Sequence, residues 1–227
     1  MTIIAFISQK GGVGKSTLAQ ALAVEAKKQK IRVLLADCDF QQGTSYEWAK
    51  EKKRIECRLF NQVKDIWPLS KNYDLIIIDA PARTSQGTLE IAKVANLLIQ
   101  PAGASRADLV PAVKEFNALV KLGIKKEKLL FVLNHIGSKA EEEVATEYLK
   151  ETGYSYLPIS LPEKVSFRSI QNEGKAITEK IRKEKLGTIP QEVSDNLYAP
   201  EAAPLKKRKE KTKRLRSLGM KVQEEFY

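Results

Sequence analysis

Two lysines, Lys10 and Lys15, bracket a glycine-rich stretch near the amino terminus. An apolar run precedes the stretch and a helical pattern follows it, so backbone N–H groups and a helix N-terminus would face a bound phosphate. Lys15 would neutralise β- and γ-phosphates, Ser16 would offer its hydroxyl to Mg²⁺, and Thr17 would contact an α-phosphate. The sequence therefore predicts a phosphate-binding loop made of Gly11, Gly12, Val13, Gly14, Lys15, Ser16 and Thr17.

The second lysine of the loop, Lys10, does not belong to the usual form of this motif. The strict pattern has a glycine where this chain has Gln9, and a nucleotide bound by its own loop needs no further charge from position 10. A solvated surface lysine is one explanation for Lys10. A role toward a second nucleotide is the other.

Three aspartates follow apolar runs and could serve the same site. Asp79 follows the run Leu75-Ile76-Ile77-Ile78, and we expect its carboxylate to contact the water molecules bound to Mg²⁺. Asp37 and Asp39 lie two residues apart at the end of another run, so they face the same side if the strand persists. The alternative is that one of the two caps the following helix.

Three segments, in this order, resemble the motifs of the ParA/MinD class of P-loop ATPases: the loop from Lys10 to Thr17, the run ending in Asp37-Cys38-Asp39, and the run ending in Asp79-Ala80-Pro81. The first is similar to the deviant Walker A motif of that class. The resemblance covers residues 2–185 and is strongest to small plasmid-partition ParA proteins (ParF-like) that lack an N-terminal DNA-binding extension.

The resemblance implies a slow, partner-stimulated ATPase with ATP and Mg²⁺ as cofactors. It implies that Lys10 reaches across a two-fold interface to the partner's ATP, so that the protein is a homodimer in its ATP state. It also implies that Asp39 orients and activates the attacking water, and that Asp37 hydrogen-bonds around Mg²⁺ and the loop. Lys10, Lys15 and Asp39 are thus the expected catalytic residues, and Ser16, Asp37 and Asp79 the expected metal-site residues.

Three further positions have two explanations each. Asn134, at a strand end, and Pro158, in the loop of residues 157–162, are candidates for contacting adenine, or else fill simple turn roles. Asp108 would lie at the dimer face, or would be a favourable carboxylate in the first turn of a helix.

Short apolar runs alternate with helical stretches, which indicates an α/β fold with a mostly parallel, twisted sheet and helices on both faces. We expect strands near residues 2–8, 31–37, 55–60, 73–79, 96–101, 128–134 and 155–160. Helices are predicted at 16–29, 43–53, 86–94, 106–122, 138–151 and 163–185, the last broken near Gly174. Ligands of such folds collect beyond the carboxyl ends of the strands, where the loop and the aspartates would meet.

The net charge of +11 is concentrated near the carboxyl terminus. We divide the chain into an ATPase domain (1–187), a proline-containing linker (188–204) and a basic, partly helical tail (205–227). Between Pro200 and Ser217, eight basic residues stand against two acidic ones, which indicates a polyanionic partner. The candidate DNA-binding residues are Arg168, Lys175, Lys180, Arg182, Lys183, Lys206, Lys207 and Arg208.

The basic segments, taken with the resemblance, favour an ATP-bound dimer that binds DNA without sequence preference. The resemblance implies that this dimer partitions DNA and is released when a ParB-like or ParG-like centromere-binding partner stimulates hydrolysis. A MinD-like membrane role is the competing output, because Leu215, Leu218, Val222 and Phe226 form an apolar stripe beside the basic run. Gly219 and the acidic pair Glu224-Glu225 argue against membrane binding, and docking on protein or positioning of a protein cargo is a third alternative.

Other classes of function are less well supported by the composition. Cys38 and Cys57 lack the spacing of a disulfide framework or a metal site, which favours a cytoplasmic protein. The resemblance implies that this protein is nucleoid-associated. The chain has a single histidine and no second cluster of acids and bases near the motifs, as a biosynthetic enzyme on this scaffold would require.

Overall fold

One parallel seven-stranded sheet organises the protein. The computed structural model describes residues 1–52, 55–82 and 85–179. The strands are β1 Thr2–Phe6, β2 Val33–Asp37, β3 Cys57–Leu59, β4 Leu75–Asp79, β5 Leu97–Ala102, β6 Leu129–Leu133 and β7 Ser155–Tyr156. They lie in the order β3-β2-β4-β1-β5-β6-β7, and every described pair is parallel.

Six α-helices with defined bounds accompany the sheet in the described part of the chain, and residues 177–179 are also helical. They are α1 Lys15–Lys28, α2 Thr44–Lys52, α3 Ser85–Val94, α4 Arg106–Lys121, α5 Lys139–Thr152 and α6 Val165–Asn172. Two 3₁₀ helices, Val63–Asn72 and Lys126–Lys128, precede β4 and β6. The alternation of strands and helices confirms the predicted α/β fold.

Both faces of the sheet are covered, which explains why its central strands are apolar throughout. Along β4, Ile76 and Ile78 pack into one hydrophobic cluster, and Leu75 and Ile77 pack into the cluster on the opposite face. All of β4 is buried. Each isoleucine that leaves water in this way contributes about 1.5–3 kcal/mol to folding.

The structure differs from the predicted elements in two places. The expected strand at 155–160 is limited to Ser155–Tyr156. The helix expected at 163–185 agrees with the structure as far as it is described: α6 ends at Asn172, Gly174 adopts a left-handed φ of 66° at the predicted break, and residues 177–179 are helical again. The 3₁₀ helix Val63–Asn72 was not predicted, and its residues Val63 and Ile66 are buried against the sheet.

The register of the central strands places the polar residues side by side. Asp37 at the end of β2 pairs with Asp79 at the end of β4, and Asp79 also pairs with Phe6 at the end of β1. The loop between β1 and α1 therefore begins next to both aspartates. This meeting of strand ends is the expected place for a ligand in an open parallel sheet.

Candidate nucleotide-binding site

The loop between β1 and α1 has the backbone of a phosphate cradle. Gly12 and Gly14 adopt left-handed φ values of 74° and 99°, which only glycine adopts without strain. A methyl group placed on Gly11 or Gly12 would meet no other atom within 4 Å, so the loop opens onto free space. The N-terminus of α1 follows directly, and its unpaired N–H groups attract an anion. The geometry thus fits the predicted phosphate site.

Asn134 supports the back of this loop. Its side-chain Nδ2 donates a hydrogen bond of 2.8 Å to the carbonyl oxygen of Val13, and a Cβ on Gly14 would lie only 2.1 Å from the same nitrogen. The buried amide of Asn134 is therefore in direct contact with the loop. Its role toward adenine stays a prediction, as does that of Pro158, an exposed residue after β7.

Lys15 lies almost buried at the start of α1, with 8% of the residue exposed. Burial lowers the pKa of its ammonium group, while the charges of Asp79, Asp39 and Glu115 act in the opposite direction. The nearby carboxylates favour the charged form of Lys15, and an ammonium group at the start of α1 can neutralise phosphate oxygens bound at the loop.

Asp79 is the most deeply buried acid beside Lys15. Its Oδ2 accepts a hydrogen bond of 2.7 Å from the Ser45 hydroxyl, and the Ser16 side chain is also hydrogen-bonded to it. Burial, reinforced by the charge of Asp37, raises the pKa of Asp79 to about 6. Among the described residues its buried Oδ1 has no hydrogen-bond partner.

This arrangement fits Mg²⁺. The ion prefers oxygen ligands, keeps several waters, and is bound through one or two protein groups together with phosphates. Ser16 and the unpartnered oxygen of Asp79 supply such groups beside the loop. In residues 1–52, 55–82 and 85–179 there is no cluster of three or more His, Cys, Asp or Glu side chains that would form an all-protein metal cage.

Asp37 and Asp39 have different surroundings, although they are two residues apart. Asp37 is fully buried, and its oxygens accept backbone N–H bonds from Asp39 (3.0 Å), Ser45 (2.9 Å) and Tyr46 (3.0 Å). Burial raises the pKa of Asp37, and these hydrogen bonds oppose the rise. Asp37 therefore caps the start of α2, which was the alternative left open by the sequence. Its part in the metal site stays a prediction.

Asp39 lies beyond the end of β2 and is partly exposed. Its Oδ1 accepts a hydrogen bond of 3.1 Å from the backbone N–H of Gln42, and its charge acts on Lys15. A carboxylate that lies near the loop and keeps contact with solvent can reach a water molecule. Asp37 is less able to do so, because its oxygens already accept three backbone N–H bonds.

Lys10 forms an ion pair with Asp108 in the first turn of α4. The Lys10 side chain is 54% exposed, whereas that of Asp108 is 18% exposed and also accepts a 2.6 Å hydrogen bond from the Ser105 hydroxyl. The structure therefore places Asp108 both at a helix N-terminus and in contact with the lysine. Lys10 itself lies at the surface, unlike the nearly buried Lys15.

Three residues of the site were missed by sequence reasoning: Ser45, Gln100 and Glu115. Glu115 lies buried on α4 and accepts hydrogen bonds from the Gln9 backbone N–H (3.2 Å) and the Gln100 amide (2.7 Å). None of the three belongs to a motif. The signal available for Glu115 was its spacing of two helical turns after Asp108, which places both on one face of α4.

The predicted DNA-binding residues lie mostly outside the described part of the chain. Lys175 is described, with its side chain 33% exposed and paired with Glu173. Arg168 lies within α6, and α6 contacts the site because the Gln171 amide donates to the Thr17 hydroxyl at 2.9 Å. The predicted linker and tail, and the candidates Lys180, Arg182, Lys183, Lys206, Lys207 and Arg208, lie outside the described residues.

No helix within the described ranges is long and apolar enough to cross a membrane.

Comparison with known proteins agrees with this geometry. Residues 4–177 match the family model of the CobQ/CobB/MinD/ParA nucleotide binding domain. Among curated proteins, Maintenance of carboxysome distribution protein A of Gloeobacter kilaueensis is 27% identical over 161 residues, which cover 66% of this chain and 72% of that protein.

Two solved structures have the same fold at low sequence identity. A single-residue variant of Cyanothece McdA in complex with ATP superposes with a TM-score of 0.66 and 21% identity, covering 89% of this chain and 98% of the other. A putative plasmid partition protein of Borrelia burgdorferi bound to AMPPNP superposes with a TM-score of 0.59 and 19% identity, covering 81% and 98%.

Proposed function

Because the chain belongs to the CobQ/CobB/MinD/ParA nucleotide-binding family, we propose that it is an ATPase that segregates DNA through an ATP-dependent homodimer. In the ATP state the dimer binds DNA without sequence preference. Hydrolysis, stimulated by a ParB-like or ParG-like centromere-binding partner, returns it to monomers. The observation that carries the proposal is Lys10, a second loop lysine that lies at the protein surface.

Within one subunit, the loop binds and orients the triphosphate. Lys15 neutralises the β- and γ-phosphates, and glycine backbone N–H groups and the start of α1 surround them. Ser16 and Asp79 would hold Mg²⁺. When bound, this ion neutralises charge that develops on the phosphate oxygens. Positioning and neutralisation account for most of the catalysis of phosphoryl transfer.

Asp39 orients and activates the attacking water. Of Asp37 and Asp39, it is the one that keeps contact with solvent, since Asp37 is fully buried and accepts three backbone N–H bonds. Asp37 holds the start of α2, and with it Ser45, against Asp79. Asp37 is therefore indirectly required for the shape of the metal site.

Lys10 supplies charge to the nucleotide of the partner subunit. Each ATP then joins the two subunits, and loss of the γ-phosphate weakens the dimer, as in other nucleotide switches. The Lys10–Asp108 pair is exposed on the lysine side, so its net contribution to stability is about 0–1 kcal/mol and a bound triphosphate can replace it.

The dimer would bind DNA through phosphate contacts made by the basic carboxyl-terminal run. Such contacts carry no sequence information and weaken steeply with salt. We expect the logarithm of the DNA affinity with ATP to fall linearly with the logarithm of salt concentration. A variant in which Lys206, Lys207 and Arg208 become glutamine should have a shallower slope. The matched control replaces the exposed residues Lys114, Lys121 and Lys125. A flat salt profile would argue against DNA binding.

The ATPase rate tests the whole proposal. We expect a low rate with ATP and Mg²⁺ alone, little change with DNA alone, and the highest rate with DNA and a centromere-binding partner together. A rate that never responds to either would contradict the partition role.

Positioning of a protein cargo is a second candidate function. It is favoured by the 27% identity to a protein named for carboxysome distribution. On this alternative, a cargo-bound protein rather than a centromere-binding protein stimulates hydrolysis. Co-sedimentation with anionic liposomes distinguishes the membrane alternative from both, since both predict that the protein stays in the supernatant.

A further inference from the structure

Glu115 is a buried carboxylate that the roles above do not use. It lies in the middle of α4, with 6% of the residue exposed, and reaches out of its own helix to the carboxyl edge of the sheet. There its Oε2 accepts hydrogen bonds from the Gln9 backbone N–H at 3.2 Å and from the Gln100 amide at 2.7 Å. One side chain thus joins α4, β5 and the first residues of the phosphate loop.

An acid at this position is costly for folding. Burial raises the pKa of Glu115, and its Oε1 has no hydrogen-bond partner among the described residues. An apolar side chain of similar size would fill the space without leaving a buried acceptor unsatisfied. What the carboxylate adds is an acceptor for the N–H of Gln9, the residue that stands where the strict motif has glycine.

The face of α4 that carries Glu115 also contacts Lys10, the residue that follows Gln9 in the loop. Asp108 lies two turns before Glu115 on α4, and it forms the ion pair with Lys10. Gln9 is therefore held by its backbone and Lys10 by its side chain, both from α4. The Ser8 hydroxyl accepts the Lys10 backbone N–H at 3.1 Å, which further limits the path of the chain at this point.

We propose that Glu115 is a positioning residue for Lys10: by accepting the Gln9 N–H, it sets the direction in which Lys10 leaves the loop. The inference rests on the proposed function, in which Lys10 acts on the partner's nucleotide. The hydrogen bonds of Glu115 go to Gln9 and Gln100 and not to the residues from Gly11 onward that cradle the nucleotide of the same subunit, although its charge also acts on Lys15. Loss of Glu115 therefore affects the dimer more than ATP binding.

Two substitutions distinguish the loss of the Glu115 hydrogen-bond acceptor from the loss of its side-chain volume. Glu115→Leu fills the position without an acceptor, and Glu115→Gln keeps an oxygen that can accept the Gln9 N–H. Should Glu115→Leu fail to fold, Glu115→Met takes its place, since its flexible side chain adapts to an irregular site. Lys114→Ala, at an exposed neighbour on α4, is the matched control.

The experiment measures, for each variant, affinity for a fluorescent ATP analogue and the dimer dissociation constant with ATP by light scattering. Glu115→Leu and Glu115→Gln both remove the charge that acts on Lys15, so we expect these two variants to bind ATP with equal affinity. The Glu115→Leu dimer should be weaker than that of the parent by about tenfold to a hundredfold, the cost of one hydrogen bond to a charged group. Glu115→Gln should restore most of the dimer. A Glu115→Leu protein that dimerises like the parent overturns the inference. So does an equal loss of ATP binding and dimerisation, or a Glu115→Gln protein as impaired as Glu115→Leu.

Hydrogen exchange of the Gln9 amide tests the role of Glu115 even if the proposed function is wrong, because the measurement does not require a dimer. If the parent forms no dimer with ATP, the proposed function fails by itself. Faster exchange of the Gln9 N–H in Glu115→Leu than in the parent would still support positioning of the loop by Glu115. Equal exchange rates would overturn it.

Discussion

Gly14 is the loop position at which the structure leaves least room for a side chain. Its φ of 99° is left-handed, and a Cβ would lie 2.1 Å from the Asn134 Nδ2. Gly12 offers a matched comparison, because its φ of 74° is also left-handed but a Cβ there would meet nothing within 4 Å. Gly12→Ala therefore adds backbone strain alone, and Gly14→Ala adds strain together with a steric overlap.

The size of each effect follows from these distances. Strain from a left-handed alanine costs about 1–2 kcal/mol at either position. Relieving the overlap at Gly14 requires Asn134 to move, which breaks its bond to the Val13 carbonyl and leaves a buried amide unsatisfied. That adds about 1–3 kcal/mol, so we expect Gly14→Ala to be less stable than Gly12→Ala by this amount.

Urea unfolding without nucleotide measures the difference, and a double-mutant cycle identifies its cause. In an Asn134→Ala background the overlap is gone, so Gly14→Ala should cost no more than Gly12→Ala. Equal losses for the two alanines in the parent background would refute the reasoning. An undiminished loss for Gly14→Ala beside Asn134→Ala would refute it as well.

Three further predictions concern the charged residues of the site. Burial raises the pKa of Asp79 to about 6, so the folded protein disfavours the charged form of this side chain. Asp79→Asn should therefore stabilise the nucleotide-free protein by up to about 3 kcal/mol at neutral pH. The same substitution should abolish ATP hydrolysis. Calorimetry and a phosphate-release assay check this, and a less stable variant would contradict it. Asp37→Ala leaves three backbone N–H groups without their acceptor and should lower the free energy of unfolding by about 2–4 kcal/mol. Asp39→Ala should change the free energy of unfolding by less than about 1 kcal/mol. It should nevertheless stop hydrolysis while ATP still binds. Similar melting temperatures for these two variants would contradict the assignment. Asp108→Asn frees Lys10 from its ion pair and should strengthen the ATP-dependent dimer, as measured by sedimentation; a weaker dimer would show that the pair assists dimerisation instead.

The features that the sequence could predict are those governed by local chemistry. The phosphate loop is contiguous, and Asp37 and Asp79 end apolar runs that are typical of buried strands, so their meeting at one edge of the sheet follows from the parallel arrangement. The expected number of strands is confirmed for the same reason.

The features that escaped prediction depend on contacts between distant parts of the chain. Glu115 and Gln9 are 106 residues apart, and Lys10 and Asp108 are 98 apart, so no spacing rule connects them. The 3₁₀ helix Val63–Asn72 contains Pro68, and it is stabilised by packing of Val63 and Ile66 on the sheet. The position of α4 beside the loop follows from the order of the strands and helices, and no sequence motif indicates it.

The central claim is that ATP joins two subunits through Lys10, and the molecular mass in solution tests it most directly. Light scattering should give the monomer mass with ADP for every variant. With ATP and Mg²⁺, the hydrolysis-deficient Asp39→Ala protein should have the dimer mass, and the same protein carrying Lys10→Gln should stay monomeric while it still binds the nucleotide. An ATP-dependent dimer of the Lys10→Gln variant would contradict the account.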